Sequence, residues 1–425
     1  MSGAIVQLAA VGAQDVYLTS QPQITFFKTV YRRYTNFAID SVAQHINGNP
    51  TFGSKISVTI SRNGDLLKNL WIQYNPQKVL SGVIPVNNGD TVGANVGHSI
   101  INTADLEINN QIIDRQYGKW LTIWNYLTES NQQVQGNIGN NWEEPTYGDT
   151  ATSYDGERAT RYNIMAYTHR AQISDGIVST AGPPSIAWVP LRFWFCRNPG
   201  LAIPIIALQY SEIKLNITLG TADGIYQQAT PNVGNGDEFS DLKVYADYIY
   251  LDTAERTKFA QNSHEYLIDQ LQINENQTQK EIKLYFKNPV KELIWSPIPK
   301  PVYFDGNDDV NVLPGLSSPN SSLSPGDYSI IVNGAVRSSR DYRYYTRNQI
   351  WDYHTGYGSV LFPDSVGVYS FSLRPEEFQP SGTCNFSRLD SVQLVRTSED
   401  AIDIYAINYN VLRIMSGIGG LAYLN

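Results

Sequence analysis

The chain has 425 residues and carries 31 Lys and Arg against 40 Asp and Glu, a net charge of −9. Hydrophobic residues make up 42%, enough for sizeable cores, while charged residues are only 17%, against about 25% in an average globular protein. This balance excludes a general nucleic-acid binder, because affinity for phosphates requires clustered Lys and Arg. The length predicts two or three domains. The opening "MSGAIVQLAAVGAQDVYL" is mildly apolar but lacks the basic region of a signal peptide, and Ser2-Gly3 does not fit the myristoylation pattern. There is no run of 18 apolar residues, and the nearest, "GLAIPIIALQY", is short and broken by Pro204. A soluble protein made without an export signal is expected.

The next segment, "ITFFKTVYRRYTNFAID" (24–40), concentrates Phe26, Phe27, Tyr31, Arg32, Arg33 and Tyr34 with no acidic residue before Asp40. Phe27, Val30, Tyr31, Tyr34 and Phe37 recur at helical spacing, which predicts a short helix from Ile24 to Tyr34 and a first strand from Thr35. Two readings of the segment stay open. Its aromatic stripe packs under its own sandwich with Arg32 and Arg33 solvated, or residues 1–34 form an assembly arm that meets acidic groups of a neighbour.

Beyond it most of the chain alternates as half-buried strands do. In "KISVTISRNGDLLKNLWIQY" Ile56, Val58 and Ile60 fall on one face, and "RNGD" is a turn signal because Asn-Gly accepts positive φ. "ADLEINNQIID", "KVYADYIYLD", "EIKLYFKN", "DYSIIVNGAV" and "DIYAINYNVLRI" are further strands, so an all-β sandwich or barrel is predicted. The order of segments repeats. "LEINNQIIDRQYGKW" matches "IIVNGAVRSSRDYRY", Phe193 and Leu208 match Phe371 and Phe386 at the same separation, and "VYADYIYLD" matches "IYAINYNVL". Three matches in one order predict two copies of one fold, over 25–253 and 265–425, joined by a linker at 254–264 and preceded by an arm at 1–24. The first copy carries about 46 extra residues, expected as a long exposed loop near 131–187.

Signs of chemistry are sparse. Cys196 and Cys384 exclude a disulfide-rich scaffold and favour two buried free thiols over one bridge. The five histidines lack metal-ligand spacing, and no cofactor or metal site is predicted. "SGIGGLAYLN" at the end lacks GxGxxG spacing and is expected to be a flexible tail. Glu143-Glu144, Asp308-Asp309 and Glu376-Glu377 are adjacent acids, which do not supply the carboxylates about 5 to 9.5 Å apart that a glycosidase needs. Of four N-glycosylation sequons, Asn276 and Asn320 are the candidate sites, and Asn216 falls within a strand pattern. No enzyme is predicted.

Taken together, "GAQDVYLTSQPQITFFKTVYRRYTNFAID", "SRNGDL", "PGLAIPIIALQYSEIKL", "DYIYLDTAERTKFAQNSHEYLIDQLQ", "QPSGTCNFSRLD" and "NYNVLRIMSGIGGLAY" resemble the major capsid proteins of large icosahedral eukaryotic DNA viruses, particularly the algal-virus branch. The resemblance runs from residue 12 almost to the end. It implies a double jelly roll, two tandem eight-stranded antiparallel sandwiches, and a homotrimeric, pseudo-hexagonal capsomer that tiles an icosahedral capsid. The implied partners are neighbouring capsomers and minor capsid proteins beneath the shell, with an indirect link to an internal membrane and no direct nucleic acid. The implied location is the virion, after synthesis in the host cytoplasm. A carbohydrate-binding sandwich or glycosidase is the alternative, motivated by eight Trp and 28 Tyr, and a viral spike is a third reading resting on the 131–187 loop.

Overall fold

Alternation of apolar and polar residues builds strands that pair in four main sheets. The computed structural model describes residues 3–13, 15–80, 91–92, 96–129, 161–168, 171–174, 177–178, 185–226, 237–298, 323–356 and 364–423. Its first strands are β1 (Phe37–Gln44), β2 (Ile46–Asn47), β3 (Lys55–Thr59), β4 (Leu66–Tyr74), β5 (Thr91–Val92), β6 (Ile101–Ile108) and β7 (Gln111–Tyr117). Next come β8 (Ala171–Ser174), β9 (Ile177–Val178), β10 (Ala187–Pro190), β11 (Ile203–Pro204), β12 (Ile213–Leu219) and β13 (Lys243–Leu251). The second half holds β14 (His264–Gln277), β15 (Glu281–Lys283), β16 (Pro289–Pro297), β17 (Asp327–Val332) and β18 (Ala335–Asp341). It ends with β19 (Gly367–Ser370), β20 (Cys384–Asn385), β21 (Val392–Arg396), β22 (Ile402–Met415) and β23 (Ile418–Leu421).

One strand order occurs twice. The sheets β1-β13-β4-β10 and β14-β22-β16-β19 correspond strand for strand, as do β3-β12-β6-β7 and β15-β21-β17-β18. Each pair of sheets encloses a core, the first around Val58, Leu70, Leu106, Leu215 and Ala246, the second around Trp295, Tyr328, Ile330, Leu394 and Ile404. This is the all-β double jelly roll.

The sequence matches fall on equivalent strands. The hairpins β6–β7 and β17–β18 turn through Asn109-Asn110 and Asn333-Gly334, all at positive φ, and both registers slip at the second residue pair from the turn. The short strands β11 and β20 both lead into a 3-10 turn and both pair with the same strand of their sandwich, β4 and β16.

By contacts the chain divides into units Met1–Asn36 and Phe37–Asn425. Several local expectations are corrected. The first unit has helices at Gly3–Ala9 and Val16–Thr19, whereas Ile24–Tyr34 forms no helix. That stretch is rich in β-branched and aromatic residues, which lose side-chain freedom in a helix, and its apolar stripe is not buried. At "RNGD" the chain bends, but not by the positive φ expected of Asn-Gly. Neither Asn63 nor Gly64 has positive φ, and β3 and β4 belong to different sheets. Gly64 is needed there for close approach, since a Cβ would lie 2.5 Å from Tyr248 Cβ.

Residues of the expected linker form the helix Thr253–Gln261, capped by the Asp252 carboxylate and packed through Phe259 on Leu66 and Ile249. The expected flexible tail is the strand β23. Its turn places Gly417 at φ +82°, and a Cβ on Gly419 would lie 2.7 Å from Leu208, so the glycines bring the strand close to the first sandwich. Within the expected loop, residues 130–160 lie outside the described residues, but Arg161–Ala166 is helical, with Tyr162 and Ala166 in the first core. Both cysteines are free and half-buried.

After β7 the helix Gly118–Thr128 keeps Leu121 in the first core and lays its other side on the outer face of β14-β22-β16-β19. Trp120, Ile123, Trp124 and Leu127 pack there against Ile294, Val366, Val368, Tyr405 and Ile407. Trp124→Ala is expected to destabilise the fold by about 3–5 kcal/mol, the usual loss for a buried Trp. Urea denaturation followed by circular dichroism measures it.

Candidate assembly surfaces

The seam between the sandwiches combines apolar packing with buried charge. Lys119 on the Gly118–Thr128 helix reaches Asp403 of β22 at 2.7 Å and donates to the Pro297 carbonyl at 3.2 Å. Arg197 of the first sandwich and Lys291 of the second meet the same Asp269 oxygen at 2.7 and 2.9 Å. Lys291 lies against the Tyr409 ring, Arg197 against Trp124. Burial works against a charged Asp269, but the two cations outweigh it and hold its carboxyl below the usual range. Beside them, burial pushes Asp114 up to about 7, although it accepts the Leu271 N–H at 3.0 Å. Gln270 donates to the Ile113 carbonyl, so β14 is tied to β7 through both side chain and backbone. From the other end, the β22–β23 hairpin reaches back. Tyr210 donates to the Gly417 carbonyl at 3.0 Å, and Leu412 and Ile414 enter the first core.

A second buried charge group fixes the far end of the Gly118–Thr128 helix. His354 lies between Glu292, 3.2 Å from Nε2, and Glu376, 3.0 Å from Nδ1. Burial disfavours the imidazolium, but Glu292 and Glu376 outweigh burial and raise its pKa to about 9. Glu376 also accepts hydrogen bonds from the Thr355 N–H and hydroxyl, and despite burial these and His354 lower its pKa. Gly356, next in the chain, donates its N–H to the Leu127 carbonyl at 2.7 Å. No spacing in the sequence singles out His354, because its two carboxylates come from β16 and from a loop 84 positions further on. His98 is an ordinary buried histidine. It contacts Thr122 and Tyr162 at 2.9 and 2.7 Å, and burial lowers its pKa to about 3.

The arm residues of the sequence reading are exposed. Phe26 and Phe27 are 88% and 98% accessible, and Tyr31, Arg32, Arg33 and Tyr34 are exposed too. Strand β1 continues the pattern, with Phe37 and Ile39 exposed on its outer face. Asn276 is exposed at the end of β14, while Asn320 lies outside the described residues.

The features behind the sugar-binding alternative are dispersed. Trp120, Trp124, Trp194 and Trp295 are core residues. Glu376 turns to His354 and Glu377 to Arg374, so this acid pair shares no cleft. The other two acid pairs lie outside the described residues. Among the described residues no group of three or more His, Cys, Asp or Glu is arranged to hold a metal, and no helix is long and apolar enough to cross a membrane.

Comparison with known proteins decides the family. The family model described as "Major capsid protein N-terminus" matches residues 25–252, and "Large eukaryotic DNA virus major capsid protein" matches residues 255–420. The chain belongs to the major capsid protein family of large eukaryotic DNA viruses. It is 38% identical to the major capsid protein of Pyramimonas orientalis virus and 35% identical to that of Paramecium bursaria Chlorella virus 1, each across the whole of both chains. A quasi-atomic structure of the PBCV-1 virus capsid matches with a TM-score of 0.71 at 32% identity, covering 94% of this chain and 100% of that one. This capsid protein is thus a structural component of a virion. Its relatives are structural capsid proteins rather than enzymes, and the sugar-binding reading finds no support.

The seam generates two predictions. Asp269→Ala strands Arg197 and Lys291 without their anion and is expected to cost about 3–5 kcal/mol in urea denaturation. His354 has a raised pKa, so its contribution to stability is full below the unfolded value of about 6.5 and is lost as pH rises through about 9. Glu376 has a lowered pKa, and its contribution is lost only as pH falls below the ordinary Glu range. His354→Gln should therefore flatten the fall in melting temperature between pH 6.5 and pH 9.

Proposed function

We propose that three copies of this capsid protein close into a homotrimer whose six sandwiches form a pseudo-hexagonal capsomer, and that such capsomers tile the facets of an icosahedral shell. The observation that carries this reading is one strand order repeated in two sandwiches locked by a buried seam. A threefold ring of such chains presents six similar blocks, and a closed ring hides surfaces that a lone subunit exposes. On this reading residues 25–253 and 265–425 are the two jelly rolls, 254–264 joins them, and 1–24 belongs to the arm. The protein is made in the host cytoplasm, and neighbouring capsomers and minor capsid proteins beneath the shell are its partners. Its link to an internal membrane is indirect and it makes no direct contact with nucleic acid. Asn276 and Asn320 are the candidate glycan positions.

The arm reading rests on exposure and charge. Lys28, Arg32 and Arg33 against Asp15 give residues 1–36 a charge of +2, which leaves −11 on the rest of a chain of net charge −9. Phe26, Phe27, Tyr31 and Tyr34 are then free to pack on a neighbour or on an internal shell protein, with Arg32 and Arg33 meeting its carboxylates.

Light scattering on the purified protein is expected to give the mass of three 47.6 kDa chains, and electron microscopy three-lobed hexagonal particles. A monodisperse single chain at micromolar concentration overturns the trimer. Arg32→Glu with Arg33→Glu should leave that mass unchanged and abolish assembly of capsomers into larger arrays. Arrays indistinguishable from wild type would sink the arm reading.

A further inference from the structure

The two sandwiches share a strand order but not a surface. Strand registers set up the comparison. Ile273, Tyr405 and Ile294 lie side by side across β14, β22 and β16, and Ala43, Tyr245 and Trp71 occupy the same row across β1, β13 and β4. Both sheets slip register at the same point, after Asp247 on β13 and after Ile407 on β22, which fixes the correspondence.

The second-sandwich row is covered by the Gly118–Thr128 helix, and β22 is buried from Ile402 to Asn410. Among the described residues the first-sandwich row has no such cover. Ala43 is exposed and Trp71 and Tyr245 are half-exposed, with Trp188 beside Tyr245 at 4.8 Å between ring centroids. The covering elements show the converse asymmetry. Strand β7 is tied to β14 and Leu127 is fully buried, 18 residues after the first Asn of the hairpin turn. In the second sandwich β18 is exposed at six of its seven positions, and Trp351, also 18 residues after the turn Asn, is 86% accessible. Among the described residues, one copy of this chain therefore presents a half-exposed aromatic sheet face and an exposed counterpart of the covering hairpin.

We propose that these two surfaces fit each other between copies: the β17–β18 hairpin and Trp351 of one chain seat on β1 and the Trp71–Trp188–Tyr245 face of the next, repeating the contact that joins the two sandwiches within each chain. The occupant is a second copy because the internal seam is already that contact in cis. Charge agrees at the equivalent positions. Where Gln270 reaches the Ile113 carbonyl within the chain, the same places hold Asp40 on β1 and Arg337 on β18, both exposed. The contact joins different faces, so repetition generates a head-to-tail ring. The inference rests on the trimer reading and names its interface.

Head-to-tail contact gives a test that an isologous one does not. Trp351→Asp disables the hairpin side and Ala43→Arg the sheet side. Wild type is expected at the mass of three chains in light scattering, and each variant alone at one. An equimolar mixture, in which one intact face of each kind remains, is expected at two. If Trp351→Asp loses its wild-type circular dichroism, Arg337→Asp takes its place. Variants that keep the three-chain mass, or a mixture that contains single chains only, overturn the interface while the trimer stands. A wild-type protein that is itself a single chain overturns both.

Discussion

A β-sandwich buries one face of each sheet, and the other face must be met by something. In this protein the outer face of β14-β22-β16-β19 is buried as an inner one is, and every residue of β22 from Ile402 to Asn410 is covered. The Gly118–Thr128 helix is what makes that possible. It grows directly out of β7, so the first sandwich supplies the lid of the second. Neither sandwich is then an independent block. The first core takes in Ile268, Leu412 and Ile414 from the second, and the second sheet depends on Trp120, Trp124 and Leu127 from the first. Rigidity between the two sandwiches follows from this exchange, and a shell built from such pairs inherits it.

Apolar packing alone would leave that seam free to slide, since one aliphatic surface resembles another. Buried charge fixes the register. Asp269 has one arrangement in which it meets both Arg197 and Lys291, and Lys119 has one in which it meets Asp403. Buried pairs of this kind contribute little net stability against a hydrophobic replacement, but a misplaced one is costly. They act here as positional keys. The His354 group does the same for the loop that receives the Leu127 carbonyl. Low surface charge and a seam held by buried charge are two consequences of one requirement, that flat faces meet in a single way.

How far the sequence reveals this depends on the range of the interaction. The duplication is legible because strand alternation and Asn turns are local, and "LEINNQIID" and "IIVNGAV" do fold into equivalent hairpins with positive φ at both turn positions. The aromatic stripe at 27–37 misleads because period alone does not say what a stripe packs against. Its spacing fits a helix, yet the segment forms none. The same holds for "SGIGGLAYLN", whose glycines suggest looseness but in fact allow β23 to lie close to Leu208. The His354 group and the Asp269 knot are illegible for a different reason. Each joins residues from separate strands and loops, and no spacing rule connects Arg197 to Asp269 or His354 to Glu292. The exposed hydrophobics of the arm are visible in the sequence as apolar residues but not as surface.

Duplication followed by divergence explains why one of two equivalent faces is finished and the other is not. If both sheets carried their own lid, the chain would be a closed monomer with nothing to offer a neighbour. If neither did, each sandwich would expose an apolar sheet and a free strand edge, an open template for indiscriminate pairing. On the proposed interface, covering one face within the chain leaves a complementary pair of surfaces, the row around Trp71 and the hairpin leading to Trp351. The edges that border them are not bare. Asp40 stands on β1, and Arg337 and Arg340 on β18, so like edges repel while unlike edges attract. Self-pairing of β1 with β1 brings the Asp40 carboxylates together, whereas β18 carries two guanidinium groups against the one carboxylate of Asp341. The charges thereby favour the proposed head-to-tail arrangement over a symmetric pairing of β1 with β1.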